Sequence, residues 1–136
     1  MFLYIVMAIL CLPQAQALAD GPAGYRLYVA RFSDGDVTIL DSATHKEVGR
    51  IVMGFGSNPA EVIPSPDGRL LYVSNRGLDE IAVINVKSGK VTASIKTGVH
   101  PNFMNFTPDG RYLVVANNQD EKATVIDPST NSVGEQ

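Results

Sequence analysis

From residue 25 onward the chain is written in short apolar runs broken by Gly, Asn, Asp, Ser and Pro. The clearest succession covers residues 60–63, 69–74, 80–85 and 91–97. These runs are rich in Val, Ile and Tyr, which predicts strands rather than helices. Val91, Ala93 and Ile95 alternate with Thr92, Ser94 and Lys96, so the last run should show one face to water. Leu71, Tyr72 and Val73 are consecutive apolar residues, as expected of a strand covered on both faces. No stretch past the N-terminal segment carries a convincing helical period.

The pattern recurs. SPDGRLLYVSN, residues 65–75, returns as TPDGRYLVVAN at residues 107–117, an offset of 42. An earlier copy aligns at an offset of 44, where Tyr28-Val29-Ala30-Arg31 lies on Tyr72-Val73-Ser74-Asn75. The two extra residues fall in Gly54-Phe55-Gly56-Ser57-Asn58-Pro59, a loop, where an insertion is cheap. The copies span approximately residues 25–58, 59–100 and 101–136. The repeated turn has a physical reason. Pro66 pre-sets the first corner, Ser65 can bond back onto the turn, and Gly68 can take the left-handed conformation that closes a bulged hairpin. Val86–Gly89 after Asn85, and Asp127–Thr130, make the next reversal in their copies.

Four antiparallel strands in about 42 residues is the signature of a β-propeller blade. The expected fold class is therefore all-β: a partial propeller array of about three four-stranded blades, one complete and two incomplete. The first copy, Tyr25 to Met53, lacks an innermost strand, and the third stops about where its outermost strand should begin. A blade cannot bury both faces alone, so open sheet edges are expected to invite self-association. The expected reading is a portion of a longer chain; the alternative is a short protein that closes a ring with copies of itself.

Composition narrows the setting. With a net charge of -3 and scattered charges, nucleic acid is not an expected partner. Residues 1–19 read as a signal peptide, with an apolar run from Phe2 to Leu12 and Ala17-Leu18-Ala19 before a cleavage point at Asp20. That run is too short for a membrane span, which needs about 20 apolar residues. The segment has no Lys or Arg ahead of the apolar run, which leaves an uncleaved N-terminal anchor as the alternative. Residues 20–136 would then be periplasmic or extracellular, with no membrane span. Cys11, the one cysteine, would leave with the signal peptide.

Tyr72-Val73-Ser74-Asn75, with its counterparts at Tyr28 and Val114, resembles the YVTN motif of YVTN-family propeller repeats. The resemblance covers residues 25–133 and implies a secreted, seven-bladed propeller, which would need roughly 290 residues at this repeat length. It also implies kinship with haem-d1-binding and quinone-linked propellers. A second resemblance, carried by YVSNRGLDEIAVI and PNFMNFTPDGRYLVVANNQ, is to the lactonase family of propellers, which includes 6-phosphogluconolactonase-like enzymes. That family often has His where this chain has Leu78.

Propellers bind ligands on loops that follow the second strand or lead into the first. Those loops hold Arg31, Asn58, Asn75, Arg76, His100, Asn117 and Asn118, a polar or anion-binding rim with Arg76 as a fork donor. The competing reading is that Asn75 and Asn117 cap their own turns. His100 could ligate haem iron, as the nitrite-reductase resemblance implies, or be a solvated turn residue. No catalytic residue, metal site or cofactor is expected, because no nucleophile, base and orienting group recur together. The expected function is a secreted binding or scaffold module for an unknown protein or small molecule. A lactonase-like hydrolase is the runner-up, and an accessory of a haem or quinone redox system is third.

Overall fold

The computed structural model describes residues 5–8 and 25–134. Among them twelve strands form three antiparallel four-stranded sheets. The first holds β1 (Ile5–Ala8), β2 (Arg26–Arg31), β3 (Asp36–Asp41) and β4 (Glu47–Val52). The second holds β5 (Pro59–Pro64), β6 (Leu70–Asn75), β7 (Glu80–Asn85) and β8 (Lys90–Lys96). The third holds β9 (Pro101–Phe106), β10 (Leu113–Asn117), β11 (Lys122–Asp127) and β12 (Ser132–Val133). In every sheet the spatial order follows the sequence order, and each chain connection runs from the last strand of one sheet to the first of the next. First strands touch sheet to sheet, β1 with β5 and β5 with β9. This is a propeller array of three blades.

One expectation is corrected. The first sheet does not lack its innermost strand: Ile5–Ala8 pairs antiparallel with β2, from Ile5 opposite Arg31 to Ala8 opposite Tyr28. An unpaired β2 edge would present a row of bare N–H and C=O groups, and a β-branched apolar stretch satisfies them. The cleavage point between Ala19 and Asp20, and Cys11, lie outside the described residues. No helix among the described residues is long and apolar enough to cross a membrane.

The hairpin turns form as their residues dictate. Ser65 Oγ donates to Asp67 Oδ1 (2.6 Å) and accepts from Leu70 N (3.0 Å), while Asp67 Oδ1 also accepts from Arg69 N. Gly68 closes the turn at φ 70°. Thr107, Asp109, Gly110 and Tyr112 repeat the arrangement one sheet on, again with a 2.6 Å hydroxyl–carboxylate bond. These bonds hold the Asp67 and Asp109 carboxyls below the ordinary value, the hydroxyl being the largest cause in each. The later hairpins use side-chain oxygens of Asp41, Asn85 and Asp127 to bind the turn backbone.

Burial separates the three sheets. Leu71, Tyr72, Val73 and Ser74 of β6 are all buried. In β10 the same positions alternate: Leu113 and Val115 are buried, Val114 and Ala116 exposed. Strand β2 alternates too, with Tyr28 and Ala30 buried and Leu27 and Val29 half-buried. The middle sheet has a neighbour on each side. One core lies between the first two sheets (Tyr28, Val37 and Ile39 against Leu71, Val73 and Ile84) and another between the last two (Tyr72, Ile81 and Val83 against Met104, Leu113 and Ile126). Fully burying such a side chain stabilises by about 1.5–3 kcal/mol. Tyr72 adds an edge-on contact with Phe106 at 5.4 Å between ring centroids.

Polar bonds lock the second interface. Ser74 Oγ donates to Asn102 O (3.0 Å), and the Glu61 carboxylate accepts from Met104 N (2.6 Å). The register slips beside them, between Pro59 and Glu61 in β5 and between Val115 and Asn117 in β10.

Two outcomes are expected. Ile84→Ala should cost about 2–5 kcal/mol in chemical denaturation, because the cavity opens inside the first core. Burial pushes the Glu61 carboxyl up, against the smaller opposite effect of the Met104 N–H. A carboxyl raised in the folded state penalises folding above its folded pKa, and the penalty vanishes below the unfolded value of about 4.3. Glu61→Gln should therefore raise the melting temperature at neutral pH, with the gain disappearing near pH 4 in a thermal-melt series.

Candidate functional site

The connections between second and third strands and between sheets all lie at one end of the array. They comprise residues 32–35, 53–58, 76–79, 97–100 and 118–121. Antiparallel pairing dictates this: each second strand runs toward that end and each third strand leaves it. All seven rim residues named from the sequence sit on these loops or on the strand ends that carry them.

Two groups of loops converge. In the first, Arg76 lies over the Phe32 ring at 5.9 Å, a cation–π contact that joins the first and second sheets. Gly77 N donates to Ser57 O (2.9 Å), and a Cβ at Gly77 would collide with the Gly56 carbonyl, so the two loops meet backbone to backbone. A hollow of about 170 Å³ opens beside them, lined by Asp34, Gly35, Gly54, Phe55 and Asn58 among others. In the second group, His100 N donates to Asp79 Oδ1 (2.8 Å) and Val99 N to Asp120 Oδ2 (3.0 Å). Asn118 N and Gln119 N return bonds to the carbonyls of His100 and Val99.

The last residue of each second strand handles its polarity differently. Arg31 pairs with Asp36 through both ends of its guanidinium (2.7 and 2.5 Å) and with Asp34 at 2.6 Å, so its charge is answered. Asn75 Nδ2 reaches Glu80 Oε1 at 3.4 Å. Asn117 Nδ2 donates to Thr124 Oγ1 (2.9 Å), which also accepts from Gly98 N. The asparagine side chains thus bond neighbouring side chains rather than their own turns. Asn75 Oδ1, Asn117 Oδ1 and Asp120 Oδ1 are buried without a partner among the described residues. Buried acceptors of this kind are satisfied by ordered water or by a donor brought in by a ligand.

Arg76 differs from Arg31 in having no carboxylate within ion-pair distance among the described residues. It is a rim cation available to an anion. His100 and Asn58 hold equivalent left-handed positions, φ 58° and 46°, each before a proline. Their shared backbone role accounts for both residues without a ligand. No group of three or more His, Cys, Asp or Glu gathers among the described residues.

Phe32, Asp79 and Asp120 also shape this end, and the sequence reading did not single them out. A readable signal existed for the acids. Asp79-Glu80 returns as Asp120-Glu121 at an offset of 41, one short of the repeat, and both aspartates brace the 97–100 loop.

The model of the family described as "Lactonase, 7-bladed beta-propeller" matches residues 27–134. The chain belongs to the lactonase family of seven-bladed β-propellers. Among its relatives, a 6-phosphogluconolactonase of Formosa agariphila is 35% identical over 65 residues, 43% of this chain and 18% of that protein. The dihydro-heme d1 dehydrogenase of Pseudomonas aeruginosa is 28% identical over 89 residues, 65% of this chain and 18% of the enzyme. Among solved structures, hydrazine synthase of Kuenenia stuttgartiensis superimposes with a TM-score of 0.74 at 27% identity, over 81% of this chain and 31% of that one. The lactonase-family chain thus spans less than a third of each of these relatives. The YVTN resemblance and this membership agree on the propeller, and the matching model is the lactonase one.

Thr124→Val keeps the side-chain shape and removes the oxygen shared by Gly98 N and Asn117 Nδ2. It should cost about 1–3 kcal/mol in urea denaturation, since both donors stay buried and unpaired.

Proposed function

We propose that the loop end of this array binds a small, hydroxylated, negatively charged molecule, and that the chain acts as the binding part of an exported propeller rather than as its catalyst. The observation that carries the reading is Arg76, a guanidinium held over Phe32 at the loop end and lacking an acidic partner among the described residues. A guanidinium fork suits carboxylate or phosphate. Ser33 and Asn58 on the walls of the hollow supply hydrogen-bonding groups for hydroxyls.

A hydrolase is the second reading, favoured by membership of the lactonase family and by the relative named as a 6-phosphogluconolactonase. A role beside a haem system is third, favoured by the relative named as a dihydro-heme d1 dehydrogenase and by the place of His100 at the rim.

Titration calorimetry with 6-phosphogluconate should give saturable binding that Arg76→Ala weakens about tenfold or more, the scale of a lost charged hydrogen bond. Binding unaffected by Arg76→Ala would sink the reading. Turnover of 6-phosphogluconolactone by the chain would replace it with the hydrolase. A Soret shift with added haem, abolished by His100→Ala, would replace it with the haem role.

A further inference from the structure

The loops that follow the second strands, residues 32–35, 76–79 and 118–121, are equal in length, so their positions correspond from sheet to sheet. The first and third loops both place an aspartate third, Asp34 and Asp120. The strand ends ahead of them differ. In the first sheet that end is Arg31, whose guanidinium answers Asp34 at 2.6 Å. In the third it is Asn117, and Asp120 has no ion pair among the described residues. The middle sheet has Asn75 and Leu78 at these positions, the amide without the acid.

Asn117 and Asp120 converge on one spot at the joint between the middle and third sheets. A Cβ at Gly98 would collide with both the Asp120 carboxylate and the Asn117 amide, so the two side chains meet over its Cα. Each already gives one polar atom to the joint. Asp120 Oδ2 accepts from Val99 N, and Asn117 Nδ2 donates to Thr124 Oγ1. The remaining oxygens, Asp120 Oδ1 and Asn117 Oδ1, are buried without a partner among the described residues, and Asn117 is only 3% exposed. Two acceptors withdrawn from water, one of them on a carboxylate, call for positive charge between them. Lys122, paired with Asn117 across the strands, is exposed and joins no ion pair among the described residues.

We infer that a calcium ion binds here, in the place that the Arg31 guanidinium fills in the first sheet, held by Asp120 Oδ1 and Asn117 Oδ1 and completed by water. Both donors are oxygens, which suits a hard cation. Calcium accepts an irregular shell filled out by water, whereas magnesium demands a near-ideal octahedron. A single carboxylate sets the affinity at the weak end of calcium sites, about 10⁻⁴–10⁻³ M. The site shares no residue with the hollow at the first joint. Bound there, the ion ties the 97–100 loop to the 118–121 loop.

Calorimetric titration of calcium chloride into the metal-free full chain tests this. The expected result is one ion per chain at that affinity, with a melting temperature that climbs as calcium is added, since the ion binds only the folded state. Asp120→Asn keeps an acceptor for Val99 N but removes the charge, and should weaken binding about tenfold or more. Asn117→Asp adds a second carboxylate in nearly the same shape and should tighten binding about tenfold, affinity following the charge of the ligands. Sodium chloride at matched ionic strength should reproduce neither the heat nor the melting shift. No calcium heat at about ten times the expected dissociation constant overturns the inference and leaves ordered water between the two oxygens. So does binding indifferent to both variants, or a melting shift that sodium gives equally.

Discussion

Each sheet of this protein is apolar on both faces, and each face is hidden only by another sheet. Strand β6 reads as an unbroken buried run because it is sandwiched, while β2 and β10 alternate because each has its described core on one side. The strand is nearly the same in all three copies, so exposure here is a property of position in the array. Secondary structure, turns and loop placement follow from that stacking. A lone four-stranded sheet of this composition would leave half its apolar side chains in water, and each would forgo about 1.5–3 kcal/mol.

The loop end depends on the same stacking. Arg76 reaches Phe32, Asp79 reaches His100 N, and Gly77 meets the 53–58 loop because neighbouring sheets bring these connections within bonding distance. Other rim contacts stay within one sheet, as Met53 N does with Gly35 O and Thr97 N with Asp79 O. The hollow lies between the 32–35 loop of the first sheet and the 53–58 connection that leads to the second.

Much of the fold was legible because the repeat declares it. The Ser-Pro-Asp-Gly turn has one low-energy way to close, and residues 80–85 form a strand where the apolar run predicts one. The pairing of Ile5–Ala8 was not legible, because an apolar stretch near a chain start reads equally as a leader, and only the unsatisfied β2 edge favours a strand. The site was half legible. Strand-end positions such as Asn75 and Arg76 follow from the repeat. Which of them is already answered does not, since Arg31 and Arg76 both read as cations at a strand end and only Arg31 meets a carboxylate. The cross-sheet role of Glu61 was hidden for the same reason, its partner being the backbone of a residue 43 positions away.

The slips of register put an extra residue in β5 and in β9, opposite the ends of β6 and β10 at Asn75 and Asn117, at the loop end of the innermost strand pair. An extra residue there bends its strand and increases local twist. The added twist therefore falls at the loop end of the second and third sheets alike, where the ladder is interrupted beside Asn75 and Asn117.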